Sequence, residues 1–230
     1  EIALAVPEAM EVYRVGSEVS GLDLQKLCFE SPLDELVQTE VQQPALVATS
    51  LAVLAALNAR GIAPDYVVGH SVGEFAAIAA ANSIDTSAAI GLVRERGLAM
   101  AEAARESDGT MAAILGLDDE VVEELCAEIE GVWPANYNCP GQIVVSGEEG
   151  AVEKLIHKAT ALGARRAVKL KVSGAFHSPL VEKAAEMLKP AVERVRFADP
   201  VAPFMSTVTA KIEPAQRMAG LLVNQVTASV

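Results

Sequence analysis

At 230 residues the chain is long enough to bury one substantial core, or a large domain with a small one attached. Half of it is apolar (51%) with few aromatics (4%), and a net charge of -13 argues against a nucleic-acid partner, whose phosphates call for clustered Lys and Arg. The apolar run around residues 76–81 is too short to span a bilayer, and the opening "EIALAVPEAMEVY" has neither the basic start nor the cleavage site of a signal peptide.

Taken in chain order, helices are predicted over residues 7–19 and 22–28. The segment "QQPALVATSLAVLAALNARG" predicts a helix with Pro44 as its first residue, apolar almost all round and so buried, with Gly61 as a left-handed stop. A short strand at Tyr66–Val68 leads into a helix over 75–81 that ends at Asn82, and another helix follows over 86–104. Residues 109–172 then change character. "TMAAILGL" reads as a strand and "DDEVVEELCAEIE" as a helix with acidic residues in its first turn. "VWPAN" and "QIVVSG" read as strands joined by a turn in "YNCPG"; "AVEKLIHKATALGA" is an amphipathic helix, and "RAVKLKV" alternates as a half-buried strand. Strand-helix-strand-strand-helix-strand is the split βαβ order of ferredoxin-like domains. Beyond it, Ser178-Pro179 caps a helix that Pro190 is expected to break or kink, and "APFMSTVTA" supplies a late strand.

The chemistry centres on Gly69-His70-Ser71-Val72-Gly73, a Gly-x-Ser-x-Gly pattern between the short strand and the helix after it. That setting lifts a serine into a site as a nucleophile. A nucleophilic serine needs a base, and the chain has three histidines. His157 falls on the exposed face of an amphipathic helix, and His70 adjoins Ser71 with its side chain directed away. His177, in the loop "VSGAFHSPL" after a strand, is therefore the candidate base. Arg94 fits a solvated helix face, whereas Arg96 lies near the apolar positions Leu92, Val93 and Met100 and is expected to point inward. A buried guanidinium needs an anionic partner, and a substrate carboxylate fits its fork bidentately. Cys28, Cys126 and Cys139 are odd in number and widely spaced, as reduced buried thiols would be, and no metal site is expected.

Gly69-His70-Ser71-Val72-Gly73-Glu74, Arg96 in its "R-G-x-x-M" context, "NYNCPGQIVVSG" and "GAFHSPL" together resemble the malonyl-CoA:acyl carrier protein transacylases of fatty acid synthesis. They also resemble the related acyltransferase domains of polyketide synthases. The resemblance runs through the whole chain in the same order. It implies an α/β fold: an α/β-hydrolase-like large domain with a mainly parallel sheet (residues 1–108 and 173–230), and an inserted ferredoxin-like small domain (109–172).

The resemblance implies Ser71 as the nucleophile that takes malonyl from coenzyme A, His177 as general base and then acid, and the backbone N–H of Val72 as half of an oxyanion hole. It implies Arg96 as the holder of the malonyl carboxylate, and Gln43, His70 and Asn138 as substrate-pocket residues. Phe176 matches the malonyl-selective members, its bulk crowding a methyl on the α carbon. No cofactor is expected. The substrates implied are malonyl-CoA and an acyl carrier protein bearing phosphopantetheine, handled by a cytoplasmic monomer without membrane or nucleic-acid partner. Lys154, Lys158, Arg165, Arg166, Lys169, Lys171, Lys183 and Lys189 form a basic stretch that reads equally as a patch steering an acidic carrier or as an ordinary solvated helix face. A serine esterase or thioesterase is the alternative, sharing Ser71 and His177 but without a use for Arg96.

Two stretches of the family pattern do not stand in these 230 residues: an N-terminal Gly-Gln-Gly that shapes the oxyanion site, and a Gly-Pro-Gly region near which a backbone carbonyl orients the catalytic histidine. The chain is thus expected to be part of a longer protein. It is also expected to lack half the oxyanion hole and the group that fixes the imidazole, and to transfer malonyl poorly alone.

Overall fold

A computed structural model describes residues 2–230. In chain order its elements are α1 (Ile2–Ala5), α2 (Pro7–Ser20), α3 (Leu24–Phe29), α4 (Leu33–Leu36), α5 (Thr39–Asn58), β1 (Val67–Val68), α6 (Gly73–Ala80), α7 (Thr86–Glu106), β2 (Gly109–Leu115), α8 (Asp119–Glu128), β3 (Val132–Cys139), β4 (Gln142–Glu148), α9 (Glu149–Ala161), β5 (Arg166–Lys169), α10 (Glu182–Glu193), β6 (Phe204–Ser206), β7 (Lys211–Ile212) and α11 (Ala215–Asn224). A single 3-10 turn, Pro179–Val181, precedes α10, with the Ser178 hydroxyl accepting from the Leu180 N–H. The chain is mixed α/β and divides into two compact units.

The first unit holds the residues up to Ala99 together with Met187–Val223. Its sheet has the order β1-β6-β7, with β1 parallel to β6 (Val67 beside Phe204) and β6 antiparallel to β7. One parallel and one antiparallel pair make it less parallel than expected. Its core gathers Leu24, Phe75, Ile78, Ile90, Leu188, Phe204, Met218 and Leu222, all fully buried. Helix α2 buries Ala9, Val12, Tyr13, Gly16 and Ser20, a stripe at helical spacing, against α5.

Helix α5 departs from expectation in two ways. It starts five residues earlier, at Thr39, so Pro44 lies inside it rather than at its first position. It buries only the face carrying Gln43, Pro44, Val47, Ala48, Leu51 and Ala52, while Leu46, Val53 and Leu57 are 40–50% exposed. The apolar composition comes from filling both faces, not from burial of both. At 20 residues and mean hydropathy 1.3, it is long and apolar enough to cross a membrane by those criteria, with 44% of the span buried in this fold. Pro190, expected to break or kink its helix, does not break it: it sits inside α10, which continues to Glu193.

The second unit holds Met100–Glu186 with Asn224–Val230. Its wholly antiparallel sheet has the order β3-β4-β2-β5, and α8 and α9 supply the helices of a β-α-β-β-α-β array. The period of two along the strands splits the core. Ala112, Ile114, Ile143 and Val145 face the helix residues Val122, Leu125, Val152 and Leu155, whereas Met111, Ala135 and Val144 point to the opposite face and pack with Phe176. Strand β3 runs on through Tyr137, Asn138 and Cys139, shortening the expected turn to Pro140-Gly141, with φ 75 at Gly141.

The expected small-domain limits, 109–172, fall inside this unit. It is larger because Gly109 and Gly174 bring the chain into close contact with Ala175 and Ala104, and because the last residues pair beside β3. The Val230 N–H donates to the Ala135 carbonyl (3.0 Å), and the Tyr137 N–H donates to that of Val230 (2.8 Å).

Candidate active site

The turn between β1 and α6 is sharp. A Cβ on Gly69 would stand 2.1 Å from the Gly73 carbonyl carbon, so only glycine lets the backbone double back there. Ser71 takes φ 52, the left-handed region that costs a non-glycine residue about 1 kcal/mol or more. The Gly73 N–H donates to the His70 carbonyl (2.9 Å) and the Glu74 N–H to that of Ser71 (3.0 Å), so the helix is wound directly from the serine. Val72 is its N-cap, which puts the Val72 amide at the positive end of α6 beside the hydroxyl.

Arg96 comes to this turn from α7. It is 1% exposed, and its Nη2 donates to Ser71 Oγ at 3.2 Å. Its Nη1 donates to Gln43 Oε1 at 2.7 Å, and Gln43 Nε2 donates to Thr39 Oγ1 at 2.8 Å, so the first turn of α5 orients the fork. Burial pulls the guanidinium down to about 10, and the charge of Glu74 offsets part of that.

Glu74 is itself fully buried. Its Oε1 accepts from the Thr207 N–H (2.6 Å) and hydroxyl (3.0 Å), tying the first turn of α6 to the end of β6. Sequence reasoning quoted Glu74 within its motif and gave it no role. An acidic residue directly after Gly73 reads as an ordinary first-turn helix acid until Thr207, 133 residues away in the chain, is seen beside it.

Arg94, assigned to a solvated face, donates from Nη1 to the Glu40 carbonyl at 2.7 Å. The acceptor is a backbone atom 54 residues away, invisible in a pattern of side chains.

His177 belongs to the second unit and is buried, with φ 58. Its Nδ1 lies 2.8 Å from the Gln225 carbonyl oxygen and 3.1 Å from that of Ala228, and its own N–H donates to the Val226 carbonyl (3.2 Å). Carbonyl oxygens only accept, so Nδ1 carries the proton and Nε2 keeps the lone pair that a base requires. The expectation that the chain lacks a group to fix this imidazole is therefore corrected: residues 225–228 supply it.

Comparison with known proteins bears on what these side chains do. The family model described as acyl transferase domain matches residues 9–226. The malonyl CoA-acyl carrier protein transacylase of Bacillus subtilis is 41% identical over 216 residues, covering 92% of this chain and 68% of that protein. Its Staphylococcus aureus counterpart is 37% identical over 210 residues, covering 90% and 68%.

The chain belongs to the malonyl-CoA:acyl carrier protein transacylase family.

Solved structures agree with that placement. An acyl-carrier-protein S-malonyltransferase from Bartonella henselae superposes with a TM-score of 0.95 at 37% identity, covering 100% of this chain and 76% of that one. A malonyl-transacylase in complex with its type II PKS acyl-carrier protein gives 0.95 at 38%, with the same coverage. This family member is thus an acyltransferase with a mixed α/β fold.

The other expected site residues fall as follows. Ser71, Val72, Arg96 and Gln43 are gathered in the first unit, where His70 is exposed on the turn. Asn138 is exposed near the end of β3, and Phe176 is half-buried against Met111, Ala135 and Val144, both in the second unit. All eight basic residues of the 154–189 stretch are exposed, but Lys158, Lys169, Lys183 and Lys189 pair with Glu128, Glu149, Glu106 and Glu193, which leaves Arg165, Arg166, Lys154 and Lys171 to carry its charge outward. Among the described residues no group of three or more His, Cys, Asp or Glu gathers to hold a metal ion.

Proposed function

We propose that this chain moves a malonyl group from malonyl-CoA to the phosphopantetheine thiol of an acyl carrier protein, through a malonyl ester on Ser71. The observation that carries the reading is the buried Arg96 guanidinium, anchored on Gln43 and donating to Ser71 Oγ. A cation fixed within bonding reach of the nucleophile suits an acyl group with a free carboxylate at its far end. Neutral acyl chains would leave that charge without a partner, a penalty that gives strong discrimination.

In the first half-reaction Ser71 Oγ attacks the thioester carbonyl and its proton passes to Nε2 of His177. The Val72 N–H faces the developing oxyanion. Collapse breaks the carbon–sulfur bond, His177 returns the proton to the departing coenzyme A thiolate, and malonyl remains as the ester. The second half-reaction runs the same steps in reverse with the carrier's thiol as nucleophile. The family relatives named for malonyl transfer and the neighbour solved with its acyl-carrier protein support both halves. No bound cofactor enters the reaction. The three free cysteines suit a reducing, cytoplasmic setting, and a monomer suffices for the chemistry.

Intact-mass measurement tests this directly. Incubation with malonyl-CoA alone should leave a malonyl adduct on Ser71, absent in Ser71→Ala and discharged by a phosphopantetheinylated carrier. Release of free malonate without adduct or carrier dependence would mark a thioesterase instead.

A further inference from the structure

We propose that Arg94 is a positioning residue for the Arg96 guanidinium, acting through the α5 carbonyl that Pro44 cannot serve. The proposal rests on Arg96 being the group that holds the substrate carboxylate. In an uninterrupted helix the N–H of residue 44 would donate to the carbonyl of residue 40, and proline has no such N–H. Arg94 Nη1 takes its place, donating to the Glu40 carbonyl at 2.7 Å. Pro44 is buried, so water does not easily reach that face of the turn.

The geometry around this bond is close. Gly97 lies one turn beyond Arg94 on the same face of α7, and a Cβ there would stand 2.7 Å from the Glu40 Cα and 3.0 Å from the Thr39 carbonyl oxygen. Helix α7 therefore rests directly on the first turn of α5. It grips that turn twice, through its backbone by Arg94 and through the Gln43 side chain by Arg96. Gln43 is braced in turn by Thr39. Take Arg94 away and the Glu40 carbonyl is left to tilt toward solvent, the turn carrying Gln43 loosens, and the guanidinium loses its fixed in-plane acceptor. An incoming carboxylate must then order the fork itself, so the penalty falls on binding of the charged acyl group rather than on the acyl-transfer step.

The test is a double-mutant cycle of Arg94→Ala and Pro44→Ala, with Arg94→Lys as a milder variant. Malonyl-CoA and acetyl-CoA serve as donors, and amide hydrogen exchange over residues 41–48 is read in the ligand-free protein. Arg94→Ala should raise KM for malonyl-CoA about five- to tenfold with kcat little changed and acetyl-CoA kinetics unmoved, and should speed exchange in that segment. Arg94→Lys, which keeps a donor without the fork, should fall between. Pro44→Ala restores an N–H for the Glu40 carbonyl, so in that background Arg94→Ala should cost less than about twofold and leave exchange unchanged. Equal loss on both donors, an equal effect of Arg94→Ala in both backgrounds, or unaltered exchange would overturn the proposal. An Arg96→Ala variant that loses malonyl-CoA and acetyl-CoA activity equally would instead remove the reading of Arg96, and the exchange cycle would still decide whether Arg94 holds the α5 turn.

Discussion

Arg96 Nη2 stands 3.2 Å from Ser71 Oγ, while its Nη1 is held by Gln43. One planar cation thus touches the Ser71 hydroxyl and its own anchor together. Replacing it should therefore change selectivity more than chemistry. Arg96→Ala should lower kcat/KM for malonyl-CoA by about two to three orders of magnitude, with a much smaller effect on acetyl-CoA. Arg96→Lys should recover little, because an ammonium cannot hold two acceptors in one plane. The ratio of the two kcat/KM values checks this, and equal losses on both donors would count against it.

The same guanidinium carries a pH signature. Burial pulls it down to about 10, so the cation is intact at neutral pH and is lost as pH rises through about 10. KM for malonyl-CoA should be flat below that point and climb by roughly tenfold per unit above it, while KM for acetyl-CoA does not follow. For stability the sign is opposite to that of a rewarded charge. The folded value lies below the unfolded one, so burying the cation costs stability below about pH 10, and that cost fades as pH rises from about 10 toward the unfolded value.

Ser71 sits at φ 52, where a Cβ is strained and glycine is not. Both Ser71→Ala and Ser71→Gly should abolish acyl transfer, but the glycine variant should be more stable than the alanine variant by about 1 kcal/mol. Parallel denaturant titrations read the difference. Equal midpoints would mean that the turn stores no strain.

Glu74 anchors the helix start to β6 through two bonds from Thr207. Glu74→Ala should cost about 3 kcal/mol or more, since it strands the Thr207 donors and removes the buried charge that offsets burial of Arg96. Thr207→Val, which removes the hydroxyl but keeps the N–H, should cost about 1 kcal/mol. Chemical denaturation of the pair should return that order.

The cysteines differ in reactivity for physical reasons. Cys139 is exposed, whereas burial and the charge of Glu123 push the Cys126 thiol up to about 12. At pH 8 only about one Cys126 in 10,000 is a thiolate. Native alkylation should label Cys139 first and Cys126 only after unfolding, as peptide mapping would report.

Much of the site was legible because its signals are local. Glycine at 69 marks a turn that leaves no room for a Cβ, and Asn82 and Gly61 marked left-handed ends that do take positive φ. Arg96 stood out by helical phase among Leu92, Val93 and Met100, and it is indeed turned inward. In the second unit the order of strands and helices was legible, although β5 stops at Lys169, short of the alternating stretch that ran to Val172. Pro44 misled as a helix start and Pro190 as a helix break, for one shared reason. Proline penalises a helix interior locally, and tertiary packing decided that the helix would continue regardless.

The residues alone singled out the candidates for chemistry: a hydroxyl lifted on a strained turn, an imidazole in a loop and a guanidinium on an apolar face. What only the tertiary structure decided is what holds each of them. Gln225 and Ala228 offer backbone carbonyls to His177, Glu40 offers one to Arg94, and Thr207 offers an N–H to Glu74. Every residue carries those same backbone groups, so no letter in the chain marks the ones that matter, and only folding brings a particular carbonyl or amide within 3 Å of the side chain that needs it.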